Sequence, residues 1–205
     1  MLVKYSNERA PTRNRTAPWA FGLIRMVSPL IYLVGLLLGP ANGVGAEVAM
    51  KESQVKALFL FNFAKYVDWP PAVFSSTNGP IVIGLIGEDR LSDALKKIVE
   101  GKRVSGRQIL IQPIEKDSDL GKCQILFISD SERKRLSEIL DKIKTLPVLT
   151  VGETDQFIES GIMINFVKKE GKIRLEINLE AARQARLEIS AQLLRVADVV
   201  KGQAK

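Results

Sequence analysis

Paired carboxylates are the first place to look for chemistry in this chain, because it contains no histidine and a single cysteine. Without histidine there is no Ser-His-Asp or Cys-His arrangement, so acid and base work falls to carboxylates, lysines or tyrosines. Glu88 with Asp89 and Asp117 with Asp119 are two acidic pairs. Both fall in segments that read as loops and caps, where solvated charge or capping accounts for them. Gly84 and Gly87 lie between an apolar run and a helix start but do not make G-x-G-x-x-G. The two carboxylates after Gly87 occupy the positive helix end where a phosphate would sit. These features exclude a dinucleotide site. One cysteine and no histidine also take away the thiolate and imidazole ligands on which structural zinc and copper sites are mostly built. No catalytic group, metal or cofactor is expected.

A second group of residues is suited to contact rather than reaction. Val55, Leu58, Phe59, Asn62, Phe63, Tyr66 and Val67 recur at helical spacing after Glu52 or Ser53. Five of the nine aromatic residues after Glu47 fall between Phe59 and Trp69. Pro70 and Pro71 must end this helix, so Trp69 leaves its axis. Such a helix either buries both sides or presents an adhesive face to a partner. Phe59, Phe63, Tyr66 and Trp69 are the candidate partner-binding residues. Cys123 has no internal disulfide partner; it opens the strand-like CQILFIS as a small buried thiol or, alternatively, an intermolecular disulfide.

The elements that position these residues follow in order. Ile81–Ile86 is an apolar run of buried-strand type, followed by a helix over Leu91–Val99. A basic, glycine-bounded turn, Gly101–Gly106, leads to a strand over Gln108–Ile114. Cys123–Ser129 is another buried strand, and Ser129, Asp130 or Ser131 caps a helix over Glu132–Ile143. Val148–Val151 is a short strand, and Thr154 or Asp155 caps one helical turn before Gly161. Ile162–Val167 and Ile173–Leu179 flank a charged loop with one glycine and read as a hairpin. Asn178 then caps a closing helix whose apolar face runs from Leu187 to Val200. This alternation predicts one α/β domain, residues 47–205, with a mixed central β-sheet, helices on both faces, a C-terminal hairpin and a closing helix.

The chain has 205 residues, 46% hydrophobic and 26% charged, an ordinary globular composition. Its net charge of +7 is concentrated at the start: Lys4, Arg9, Arg13, Arg15 and Arg25, against Glu8 alone, precede Glu47. Removing these from the 30 basic and 23 acidic residues leaves 25 and 22, or +3. Signs so mixed give no phosphate-tracking stripe, so nucleic acid is not an expected partner. Residues 1–46 read as an export signal, with a basic segment, an apolar core over Met26–Gly39 and small residues up to Ala46. Cleavage is expected before Glu47; an uncleaved membrane anchor is the alternative.

Three blocks resemble the YfiR family of exported bacterial proteins: FNFAKYVDWP (Phe61–Pro70), VLTVGETDQFIESGIMINFV (Val148–Val167) and INLEAARQARLEISAQLLRVADVV (Ile177–Val200). The resemblance implies a periplasmic α/β protein, commonly a homodimer, that represses an inner-membrane diguanylate cyclase by binding its periplasmic sensor domain. Release raises cyclic di-GMP, with effects on biofilm and exopolysaccharide, and an outer-membrane lipoprotein can titrate the repressor away. Family members often carry paired cysteines where this chain has Cys123 alone, and Ser160 replaces a frequent glycine before Gly161. The rival expectation is a periplasmic small-ligand sensor or solute-binding module, feeding a membrane receptor or sensor kinase, whose pocket lies at the ends of the strands.

Overall fold

Continuous apolar runs set the centre of the sheet, because a strand covered on both faces has no polar side to alternate with. The computed structural model describes residues 51–87 and 90–200. The expected export segment and Glu88 and Asp89 lie outside them. In chain order come α1 (Glu52–Tyr66), β1 (Val67–Asp68), β2 (Ile81–Ile86), α2 (Ser92–Val99), β3 (Arg103–Val104), β4 (Arg107–Pro113) and β5 (Ile125–Ile128). There follow α3 (Leu136–Ile143), β6 (Leu149–Gly152), β7 (Ile164–Lys169), β8 (Lys172–Asn178), α4 (Leu179–Gln184), β9 (Glu188–Ile189), α5 (Ala191–Leu194) and β10 (Asp198–Val200).

The eight-stranded sheet has the order β10-β8-β7-β6-β5-β2-β4-β3. From β4 to β7 every neighbouring pair is parallel, while β8 returns antiparallel to β7. The chain leaves β2 towards β4, then crosses back to β5 on the other side of β2. Two buried clusters cover the two faces. On one, Ala57, Leu60 and Phe63 of α1, Leu95 of α2, and Ala182 and Leu193 pack on Ile83, Phe127 and Val151. On the other, Leu136, Ile139 and Ile143 of α3 pack on Leu126, Ile128 and Ile162. Gly84 is required by space: a Cβ there would come within 2.9 Å of Ile114 Cγ1 and 3.0 Å of Cys123 Sγ. The expected mixed sheet with helices on both faces is therefore present.

The hairpin is tighter than its charged loop suggests. Lys169 pairs with Lys172, so only Glu170 and Gly171 form the turn, both at positive φ, 52° and 73°. That is the type I′ geometry whose twist matches the flanking strands.

The closing helix is the main correction. Asn178 caps as expected, its Oδ1 accepting the Ala181 N–H at 3.0 Å. The helix then stops after Gln184. Arg186 adopts φ +59°, Leu187 N–H donates to Ala182 O and Arg186 N–H to Arg183 O, both at 2.9 Å. This pair of bonds is the Schellman motif, here with arginine in the place glycine usually takes. The chain beyond becomes β9, antiparallel to β1, then α5, then β10, parallel to β8. An L-residue in the left-handed region carries a cost of about 1 kcal/mol. Arg186→Gly is accordingly expected to raise stability by about 0.5–1 kcal/mol, read from urea melts.

Smaller differences are local. The segment expected to start a helix at Glu132 is a 3-10 turn, Asp130–Arg135, before α3. Thr154 does not cap a turn with its hydroxyl, which instead donates to Asp130 Oδ1 at 2.9 Å.

Candidate contact surface and crevice

Helix α1 crosses one face of the sheet, and its two ends form different environments. At its C-terminal end the four candidate contact residues separate into two kinds. Phe63 is fully buried, its ring stacked on Phe166 at 6.0 Å and on Phe59 at 6.3 Å between centroids. A side chain with no exposed surface serves the core, so Phe63 is withdrawn from the contact set. Phe59, Tyr66 and Trp69 are half-buried, each packed against the core by one edge. Trp69 turns under the sheet, its Nε1–H donating to Gln124 O at 3.1 Å. Gln124 is itself a buried hub: its Oε1 accepts Val82 N–H at 2.7 Å and its Nε2 donates to Val73 O at 3.4 Å. The aromatic exit of α1 thus lies at the N-terminal ends of β2 and β5. The Tyr66 carbonyl accepts Ser190 N–H at 2.9 Å, and β1 pairs with β9, so the C-terminal segment fastens this exit.

The other end of α1 reaches the C-terminal ends of the strands. A crevice of about 590 Å³ is lined there by Glu52, Lys56, Arg90, Ser129, Asp130 and Glu153, among others. It sits where the chain reverses direction across β2 and β5, the place at which doubly wound sheets hold ligands. Lys56 is buried, with its ammonium 2.6 Å from Glu52 Oε1 and 2.9 Å from Glu153 Oε2. Burial disfavours the Lys56 charge, but hydrogen bonds to Glu52 and Glu153 outweigh it and hold the pKa above its ordinary 10.5. The hydrogen bond from Lys56 lowers the Glu52 carboxyl in turn.

The linkage has a definite sign. A raised lysine pKa gives stability that is present below pH 10.5 and lost as pH rises through the higher folded value. A lowered Glu52 gives stability present above pH 4.5 and lost as pH falls through the folded value. Lys56→Met is expected to flatten both limbs and, by leaving Glu153 without its cation, to cost about 1–3 kcal/mol near neutrality. Denaturant melts across pH check this.

Neither visible acidic residue of the second pair is free for chemistry. Asp117 pairs with Arg135 at 2.8 Å and with Lys142, and Asp119 pairs with Lys122 at 2.7 Å. The hydrogen bond from Lys142 is the main influence lowering the Asp117 carboxyl, and that from Lys122 does the same for Asp119. Cys123 is 2% exposed, its thiol donates to Leu120 O at 3.3 Å, and burial pushes its pKa up to about 12. A thiol held protonated and out of reach takes the buried role rather than the intermolecular one.

The strand order β4-β2-β5-β6-β7 and the crevice at its reversal point define a doubly wound α/β domain of the flavodoxin-like order. Two solved structures resemble it. One is a conserved domain protein from Vibrio cholerae, with TM-score 0.50 and 13% identity, over 71% of this chain and 60% of that one. The other is an ABC domain in complex with L-Trp from Streptococcus pneumonia, with TM-score 0.45 and 10% identity, over 72% and 60%. The chain thus spans about 60% of the length of both. No curated protein sequence matches it. The family model described as YfiR/HmsC-like matches residues 53–198, and the chain belongs to that family. The family is one of periplasmic regulators in the diguanylate cyclase pathway, and regulatory rather than catalytic. Among the described residues no helix is long and apolar enough to cross a membrane.

Proposed function

We propose that this protein is exported by residues 1–46 and represses an inner-membrane diguanylate cyclase by binding its periplasmic sensor domain. The family match over residues 53–198 carries this reading. The half-exposed Phe59, Tyr66 and Trp69 supply an aromatic contact surface of the kind that anchors protein interfaces. Repression needs no reaction: binding one conformation of the cyclase better than the other shifts its equilibrium by the difference in affinity. A homodimer and titration by an outer-membrane lipoprotein belong to the same proposal. Deleting the gene is expected to raise cellular cyclic di-GMP and biofilm mass, with rescue by the full chain but not by a chain starting at Glu47. Unchanged cyclic di-GMP in the deletion strain would contradict it.

The crevice favours a second reading, in which a small ligand bound at Lys56, Ser129 and Glu153 feeds a membrane receptor. A ligand at a hundred times its Kd adds about 2.7 kcal/mol of stability. A thermal-shift screen separates the two, because the repressor reading requires no such ligand.

A further inference from the structure

The stretch from Lys96 to Arg107 carries Lys96, Lys97, Lys102, Arg103 and Arg107 against Glu100 alone. In the fold it lies beside the last turn of α1. The Lys65 and Lys102 ammonium groups both sit over the Phe61 ring, 4.3 and 5.0 Å from its centroid. They are therefore within about 10 Å of each other, a Debye length at 0.1 M salt. None of these six cations pairs with a carboxylate among the described residues. On the other face of the sheet Lys122, Arg133, Arg135 and Lys142 each hold an acidic partner, while Lys134 and Lys144 hold none among the described residues. Arg107 has a structural role, stacked on Phe74 at 3.7 Å and donating to Gly79 O at 2.7 Å. The negative ends of α1 and α2 account for Lys65, Lys96 and Lys97 one at a time. They do not account for Lys102, whose ammonium shares the Phe61 ring with that of Lys65, whereas Arg103, paired with Gln108 beside the inward-facing Val104, lies on the opposite face of the sheet and donates to Gly106 O at 2.9 Å.

We propose that this basic surface docks on an anionic phospholipid bilayer. The cations Lys65, Lys96, Lys97 and Lys102 come from α1, α2 and the residue before β3, on long exposed side chains none of which is held by a carboxylate among the described residues. Such a set matches a fluid, diffuse anionic surface, where each cation contributes separately, better than it matches one acidic protein side chain at a time. Half-exposed Tyr66 directly follows Lys65, and half-exposed Trp69 comes four positions after Lys65, beyond the exposed Asp68. These are the side chains that settle at a membrane–water boundary. Docking in this way would bring the aromatic exit of α1 to the height of a membrane-anchored partner. The inference rests on the extracytoplasmic location proposed above, but its test uses no cyclase and no cell.

The test is co-sedimentation of the purified protein with phosphatidylglycerol–phosphatidylcholine vesicles and with phosphatidylcholine vesicles. Binding is expected to the anionic vesicles only and to weaken as salt is raised. Each cation removed lowers the partition about fivefold. Lys65→Ala with Lys102→Ala thus lowers it about 25-fold, while Lys134→Ala with Lys144→Ala, the same change in net charge elsewhere, leaves it near the parent value. If the first double variant fails to fold by circular dichroism, Lys96→Ala with Lys97→Ala carries the same expectation. The proposal is overturned by absent binding to anionic vesicles, by equal binding to neutral ones, or by equal loss in both double variants.

Discussion

Phe63→Ala is expected to destabilise the domain by about 3–5 kcal/mol, the usual result of truncating a fully enclosed phenylalanine. The ring has no exposed surface and stacks on Phe166 and Phe59, beneath a helix whose Ala57 and Leu60 are equally enclosed. The lost contacts lie between α1 and the sheet, so the cavity opens at the main helix-to-sheet joint. Domains of this size hold about 5–15 kcal/mol in total, and the variant should melt far below the parent in urea. A shift under about 1 kcal/mol would mean that α1 is not seated as described.

Trp69→Ala, six residues further on, should do the opposite. Its half-exposed ring loses less buried area, and the carbonyl it serves is not orphaned, because Gln124 O also accepts Leu149 N–H at 2.8 Å. A stability loss of about 1–2 kcal/mol is expected. Binding should suffer more: a tryptophan at the centre of an interface contributes about 2 kcal/mol or more, roughly a 30-fold loss of affinity. In cells the variant should accumulate normally and derepress the cyclase. Circular dichroism melts together with a cyclic di-GMP reporter separate the two effects. A variant that folds and represses like the parent would remove Trp69 from the contact surface.

The contrast between these neighbours marks what a sequence can and cannot show. The apolar period of α1 identified the helix, and Pro70 and Pro71 identified its end, because those signals are local. Which aromatic faces inward depends on Phe166, a hundred residues away, so Phe63 and Trp69 look alike in sequence. The strands β2, β5 and β6 were visible as apolar runs because both their faces are covered. The closing helix was not visible as four elements, α4, β9, α5 and β10. Its apolar spacing fits a helix, and the stop is written by Arg186 rather than glycine. Pairing of β9 with β1 and β10 with β8 then decides the matter over long separations. The crevice is hidden for the same reason: Lys56 and Glu153 stand 97 positions apart and meet only once α1 lies across the sheet.

The most direct measurement is a calorimetric titration of the purified protein into the periplasmic sensor domain of an inner-membrane diguanylate cyclase from the same organism. Saturable binding is expected, weakened about 30-fold by Trp69→Ala and little changed by Lys144→Ala on the far face. The absence of saturable heat or binding, with both proteins folded, would contradict the account.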